Sequence, residues 1–219
     1  MDELKKEYKK IYSIALEKAE LLHAKRVSGA EKLSKIVMDT LFFLDMPKVL
    51  FETKVKKCEN NGKITINQHG FDDVEFYVAT NVGEELSSMN KIASGGELSR
   101  IMLALKNAMS DKNGAGTVIF DEIDTGVSGR AAQKIGIKLQ EISEHRQVLC
   151  VTHLPQMAVM ADNHLLIKKE TVDGRTVTDV IRLDDEGRAG EVARIMSGEN
   201  PSELMMQNAR EQLMLNKRK

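Results

Sequence analysis

Asn90-Lys91-Ile92-Ala93-Ser94-Gly95-Gly96-Glu97-Leu98-Ser99-Arg100-Ile101-Met102-Leu103-Ala104-Leu105-Lys106-Asn107-Ala108-Met109 is the stretch on which the reading of this chain turns. Leu98, Ile101, Met102, Leu105 and Met109 recur at the three- and four-residue spacing of a half-buried helix. Ser94, Gly95 and Gly96 stand at its amino terminus. The first N–H groups there lack intrahelical partners, the helix dipole is positive, and two residues without a Cβ let an anion reach the backbone. Taken alone, Ser94 with Glu97 three residues on is equally the spacing of an ordinary capping box that needs no ligand.

The residues that follow tip the balance. Thr117-Val118-Ile119-Phe120 is a short apolar run bounded by Gly114 and Gly116, and it ends in Asp121-Glu122-Ile123-Asp124. A buried strand that delivers two adjacent carboxylates at its end is costly unless a cation or a reacting group meets them there. Ser128 then stands before a stripe of Ala132, Ile135, Leu139 and Ile142, a helix through about Ser143. Gln147-Val148-Leu149-Cys150-Val151-Thr152 reads as a second buried strand, and His153 stands at its end. Strand, helix and strand with functional groups at both strand ends is the layout in which open α/β sheets hold ligands.

These motifs carry a resemblance. Ala-Ser-Gly-Gly-Glu-Leu-Ser-Arg (93–100) is similar to the signature of ABC-type ATPases, and Thr-Val-Ile-Phe-Asp-Glu-Ile-Asp (117–124) to their Walker B strand. Thr-Gly-Val-Ser-Gly (125–129) stands where the D-loop lies, and Val-Thr-His-Leu-Pro-Gln-Met-Ala (151–158) holds a switch histidine. The combination resembles the RecN family of bacterial DNA repair proteins, relatives of the SMC proteins, most specifically over residues 86–170. Asn81-Val82-Gly83-Glu84 departs from that family, which usually has proline at the second position, and only the local turn is expected to change.

The resemblance implies an α/β fold: the carboxyl-terminal lobe of an ABC/SMC-type P-loop ATPase head, with a small antiparallel β unit and an amino-terminal helical coiled-coil stub. It places the root of the arm at residues 1–44 and the head lobe at 45–219. It implies ATP and Mg2+ as cofactors, with Asp121 on the metal, Glu122 as the base for the attacking water and His153 sensing the γ-phosphate. Ser94, Gly95, Gly96 and Glu97 would bind nucleotide held by the second head of a homodimer, and Asp124 would bridge the heads. The partners implied are an amino-terminal Walker A lobe of the same protein, a second head and, in the whole protein, DNA. The function implied is ATP hydrolysis in DNA double-strand break repair and recombination. A head of another SMC or Rad50-type ATPase, or a non-catalytic dimerisation module, remains the alternative.

One part is missing from the sequence. No Gly-x-x-x-x-Gly-Lys-Ser/Thr occurs, and the single Gly-Lys, Gly62-Lys63, is followed by Ile64 inside an expected hairpin. Phosphoryl transfer of this class needs that loop to cradle the phosphates. These 219 residues are therefore expected to be catalytically incomplete by themselves.

Residues 1–44 read as one helical region, with Leu4, Tyr8, Ile11, Ala15, Ala19, Leu22, Ala30, Leu33, Val37 and Leu41 at helical spacing. Gly29 allows a kink or a break. Pro47 marks the end. Three strands are expected around Val49–Val55, Ile64–Ile66 and Val74–Val78, with Asn60-Asn61-Gly62 as the turn between the first two and His69 on the surface. A hairpin is expected from Ile167 around Asp173-Gly174, and Asn200-Pro201 with Glu203 reads as the start of the last helix.

Composition limits the rest. A 42% hydrophobic fraction with 30% charged residues supplies one core, and no run approaches a bilayer span, so a cytoplasmic protein is expected, with no membrane partner. With 32 basic against 33 acidic side chains and no tryptophan, composition gives no ground for a nucleic-acid surface. Cys58 and Cys150 are expected as reduced thiols, Cys150 in a buried strand.

Overall fold

The computed structural model describes residues 1–91, 95–109, 115–172 and 175–217. Ser94, Gly114 and the Asp173-Gly174 turn lie outside the described residues. The chain forms two compact units, Met1–Ser94 and Gly95–Lys219.

The first unit is built on helix α1 (Asp2–Phe43), which runs without interruption. The kink allowed at Gly29 does not form. A Cβ there would meet nothing within 4 Å, so this glycine costs chain entropy without opening a break. The two halves of α1 differ. Leu4, Tyr8 and Ile11 are bare, whereas Ala19, Ala30, Val37 and Leu41 are buried. The helix ends before Pro47, because Asp45 takes a left-handed backbone (φ 60°) and Met46 N–H closes back on Leu41 O at 3.0 Å.

Strand β1 (Leu50–Lys57) follows, then the short strands β2 (Glu59–Asn60) and β3 (Lys63–Ile64), joined by a turn with Asn61 and Gly62 both at positive φ. That conformation suits Asn-Gly in a two-residue hairpin, and it places the Gly62-Lys63 pair in a β-turn. Strand β4 (Asp72–Ala79) pairs antiparallel with β1 over all eight residues, and β5 (Ser87–Ser88) extends the sheet to the order β1-β4-β5. Edge strand β1 is sealed by α1, since Thr53 N donates to Ser34 Oγ at 2.9 Å and Phe51 N meets Met38 Sδ. His69 is exposed, as expected. At 81–84 the turn is closed by the Glu84 carboxylate, which accepts from Thr80 N and Asn81 N, while Val82 lies in solvent.

The second unit opens with α2 (Gly95–Ala108), which packs on α3 (Gly129–Ser143). The buried face of α2 is Ile101, Leu103, Ala104 and Leu105, turned from the expected stripe so that Met109 is left exposed. Strands β6 (Thr117–Phe120) and β7 (Gln147–Cys150) pair in parallel, Thr117 with Gln147 and Phe120 with Cys150, on either side of α3 in sequence. On α3, Ala132, Ile135, Leu139 and Ile142 are all buried, as their spacing requires.

Both strands depart from the expectation of burial. Val118 and Phe120 face the core, but Ile119 is 67% and Leu149 42% exposed. A continuous apolar run reads as buried on two faces. This unit covers one of them.

The short helix α4 (Pro155–Ala158) follows His153. Strands β8 (Leu165–Val172) and β9 (Arg175–Arg182) form the expected hairpin, paired from Leu165–Arg182 to Val172–Arg175. Helix α5 (Asp185–Ser197), which the sequence reading left out, starts where the Asp184 side chain accepts Gly187 N at 2.7 Å. The last helix, α6 (Glu203–Asn216), is capped by Ser202, whose hydroxyl accepts Met205 N, and not by Asn200. Pro201 precedes that cap, so the proline lies outside the helix. Val192 and Ala193 of α5 and Ala209 of α6 close a core with Ala158, Val159 and Met160.

Candidate functional site

The carboxyl ends of β6 and β7 and the amino terminus of α2 meet inside the second unit. Asp121 and Glu122 leave β6 exposed to solvent. Glu122 has a left-handed backbone (φ 56°), and its N–H donates to Asp121 Oδ1 at 3.0 Å. A non-glycine residue in that region is held against a local cost, and such strain collects at sites where a side chain must be aimed. Ser99 Oγ of α2 donates to Asp121 O at 3.3 Å, which ties the helix to the strand end.

The first turn of α2 lies against this end. A Cβ on Gly95 would stand 3.0 Å from Glu122 Oε2, and one on Gly96 would stand 2.9 Å from Thr125 O. Only glycine allows these approaches without displacement. The Glu122 carboxylate thus rests at the positive end of α2, where an anion is favoured. Glu97, in the same turn, is half-buried.

Asp124 is 4% exposed, and its Oδ2 is committed within the chain. It accepts Thr152 Oγ1 at 2.6 Å and His153 N at 3.1 Å, and His153 Nδ1 lies 3.2 Å away. The Thr152 oxygen in turn accepts Leu154 N at 3.0 Å, so one carboxylate fastens the loop that leaves β7. The His153 side chain itself is 75% exposed. Cys150 is half-buried in place of the full burial expected, on the face it shares with its strand partner Phe120. Burial, with the charges of Asp124 and Asp121, still pushes its thiol up to about 12.

Arg100 is a residue that the motif reading passed over. It sits four positions after Gly96, and its Nη1 donates to Thr125 O at 2.9 Å. Its Nε is buried and finds no hydrogen-bond partner among the described residues. Burial lowers the pKa of this guanidinium from its ordinary value, against the opposing charge of Glu97. An arginine inside an apolar helical stripe was the available signal. Thr152 carried none, since its bond to Asp124 spans 28 residues.

The carboxylate of Asp121 is a hard oxygen donor at an exposed strand end, which is the small protein contribution that Mg2+ takes when phosphates and water complete its shell. The donor set therefore fits a magnesium-bound nucleotide. Among the described residues no group of three or more His, Cys, Asp and Glu forms a closed metal cage.

No protein-family model matches the chain. Whole-sequence similarity is extensive. The chain is 48% identical over 186 residues to the DNA repair protein RecN of Halalkalibacterium halodurans, covering 85% of this chain and 33% of that protein. It is 41% identical to RecN of Bacillus subtilis over 224 residues (97% and 39%) and 38% identical to RecN of Vibrio cholerae over 214 residues (98% and 38%). The chain matches the carboxyl-terminal portion of RecN. It spans between a third and two fifths of the length of these RecN proteins.

Among solved structures, an Smc head domain with a coiled coil and joint from Pyrococcus yayanosii aligns over 90% of the chain and 35% of its own, with a TM-score of 0.59 at 21% identity. An Smc head with an extended coiled coil, bound to the carboxyl-terminal domain of ScpA, from Pyrococcus furiosus, aligns over 83% of the chain and 42% of its own, with a TM-score of 0.55 at 19% identity. At such identities the likeness speaks to the fold. This RecN-like chain has the α/β fold of an SMC-type head lobe, with a small antiparallel β unit and a helical stub. Among the described residues no helix is long and apolar enough to cross a membrane.

Proposed function

We propose that this chain is the carboxyl-terminal lobe of an SMC-like ATPase head that acts in DNA double-strand break repair and recombination, and that it hydrolyses ATP once joined to a lobe carrying the Walker A loop. The observation that carries the reading is the placing of the Asp121-Glu122 pair and the exposed His153 at the ends of two paired parallel strands. The similarity to proteins named for DNA repair supports the process.

Asp121 would hold Mg2+, which when bound supplies charge neutralisation at the phosphates. Glu122 orients the attacking water and takes its proton, and His153 stands at the γ-phosphate end of the nucleotide. Ser94, Gly95, Gly96 and Glu97 would bind nucleotide held by a second head, so that ATP binding and homodimerisation are one event. In the structure the end of α2 is met by Glu122 of the same chain, and a nucleotide phosphate would compete with that carboxylate. DNA is the partner of the whole protein.

Two exposed surfaces accord with missing neighbours. Ile119, Leu149 and Val151 leave one face of the β6–β7 pair open, where further strands and helices of a head would continue the layer, and among the described residues no helix covers Leu4, Tyr8 and Ile11 at the start of α1. The test is turnover. The chain alone is expected to show no Mg2+-dependent ATP hydrolysis and to gain it when combined with the Walker A lobe. Ordinary turnover by residues 1–219 alone would overturn the reading.

A further inference from the structure

The geometry points to Asp124 as the positioning residue of His153. Its Oδ2 gathers Thr152 Oγ1, His153 N and His153 Nδ1 within 2.6, 3.1 and 3.2 Å, so a single oxygen sets both the backbone and the ring of the exposed histidine. Each of the three can bring a proton to that oxygen only if the imidazole carries its proton on Nδ1. Which nitrogen of a histidine is protonated is set by the partner of the other. The Nε2 lone pair then faces outward on a side chain that is 75% exposed, as the acceptor for a hydrogen bond from water, and it is through such a water, donating to both, that the neutral ring would meet a phosphate oxygen.

Burial makes the arrangement specific. Asp124 is 4% exposed, and a carboxylate withdrawn from water needs its lone pairs filled. It therefore draws the loop after β7 inward and holds Thr152, His153 and Leu154 in one conformation, the hydroxyl of Thr152 passing the constraint to Leu154 N. Asp124 and His153 leave the ends of two paired parallel strands, so the contact also fixes the histidine relative to Asp121 and Glu122 at the end of β6. The catalytic consequence of this positioning rests on the ATPase reading given above. The positioning itself does not.

The test separates the two. In 15N-labelled chain at about pH 8.5, where imidazoles are neutral, long-range proton–nitrogen spectra report the tautomer of His153, assigned through its loss in His153→Gln. The Nδ1–H form is expected to predominate in the unaltered chain. A predominance of the Nε2–H form, which free histidine prefers, overturns the proposal at once. Asp124→Ala is expected to reverse the ratio, and Asp124→Asn, which keeps the shape but is a weaker acceptor, to lower the Nδ1–H share at least twofold if the alanine variant does not fold. An unchanged ratio in the folded variants overturns it as well. Thr152→Val should keep the tautomer while the Leu154 amide exchanges faster.

In a head joined to its Walker A lobe, Asp124→Asn is expected to lower kcat about tenfold or more with KM for ATP within about twofold, the pattern of a group acting at the transition state. Equal kcat beside an altered tautomer overturns the catalytic consequence. A joined head that is inert with Asp124 intact overturns the ATPase reading and leaves the spectra to decide the positioning.

Discussion

A methyl group on Gly96 would stand 2.9 Å from the carbonyl oxygen of Thr125, the same oxygen that accepts Arg100 Nη1 at 2.9 Å. The first turn of α2 and the loop after β6 are thus in backbone contact, with a hydrogen bond beside the contact to hold the spacing. Gly95, one residue earlier, meets only the far end of the flexible Glu122 side chain.

That difference gives the first prediction. Gly96→Ala must push backbone against backbone and is expected to destabilise the chain by about 1–3 kcal/mol, the usual cost of overpacking. Gly95→Ala displaces a carboxylate that can swing aside, and at the first position of α2 the change in helix preference is small. Its net effect is expected to be near zero. Urea unfolding of the two variants compares them directly, and equal losses would refute the contact.

The second prediction concerns the first unit. Asp72, whose side chain is fully buried, accepts from His23 Nδ1 at 2.6 Å and from Arg26 Nη1 at 3.0 Å, which fastens α1 to the start of β4. Burial alone would raise its carboxyl; the hydrogen bonds from Arg26 and His23, with their charges, outweigh burial and hold it below the ordinary value. A lowered folded value means stability that is present above the ordinary aspartate pKa of about 4 and lost as pH falls through the folded value. Asp72→Asn is expected to cost about 1–3 kcal/mol at pH 7, with the gap to the unaltered chain closing below about pH 4. Chemical unfolding at pH 7 and pH 3 measures it. A gap of the same size at both would show that the charge contributes nothing.

Much of this was legible in the sequence, and the exceptions have two causes, packing between distant residues and competition between near ones. The stripe Ala132, Ile135, Leu139, Ile142 and the turn at Asn61-Gly62 depend on neighbours a few residues away, and both appear as read. The half-exposure of Ile119 and Leu149 does not, because an apolar run does not say how many layers cover it. Local competition decided the start of α6, where Ser202 stands two residues beyond Asn200 and wins the cap. The site divides in the same way. Gly95, Gly96, Asp121, Glu122 and His153 could be named from motifs, while the left-handed backbone of Glu122, the Arg100–Thr125 bond and the Asp124–Thr152 bond come from tertiary packing.

Cys150 supports a third prediction. With its thiol pushed up to about 12 by burial and the Asp124 and Asp121 charges, only about one molecule in ten thousand carries a thiolate at pH 8. Iodoacetamide is expected to modify Cys150 at least about a hundredfold more slowly in the folded chain than in urea, where an ordinary thiol value returns. Peptide mapping after timed alkylation gives both rates. Comparable rates would mean that the end of β7 is open to solvent and that the two carboxylates do not act on it.

The last prediction concerns Glu122 in a head joined to its Walker A lobe. Its left-handed backbone and its place against Gly95 are set by the main chain and by side-chain length, both of which glutamine keeps. Glu122→Gln therefore removes the base and little else. If the carboxylate orients and deprotonates water while Asp121 holds the metal, hydrolysis should slow by about 10²–10⁴-fold with nucleotide binding retained. Asp121→Asn should instead weaken the Mg2+–nucleotide complex. Nucleotide trapped by Glu122→Gln should hold two heads together, and Ser94→Arg in the same protein should release them by filling the anion site at the start of α2 with a bulky side chain. Sedimentation with ATP distinguishes the two proteins. Dimerisation of equal strength in both would remove the second-head role of Ser94, Gly95 and Gly96, and undiminished turnover in Glu122→Gln would remove the base.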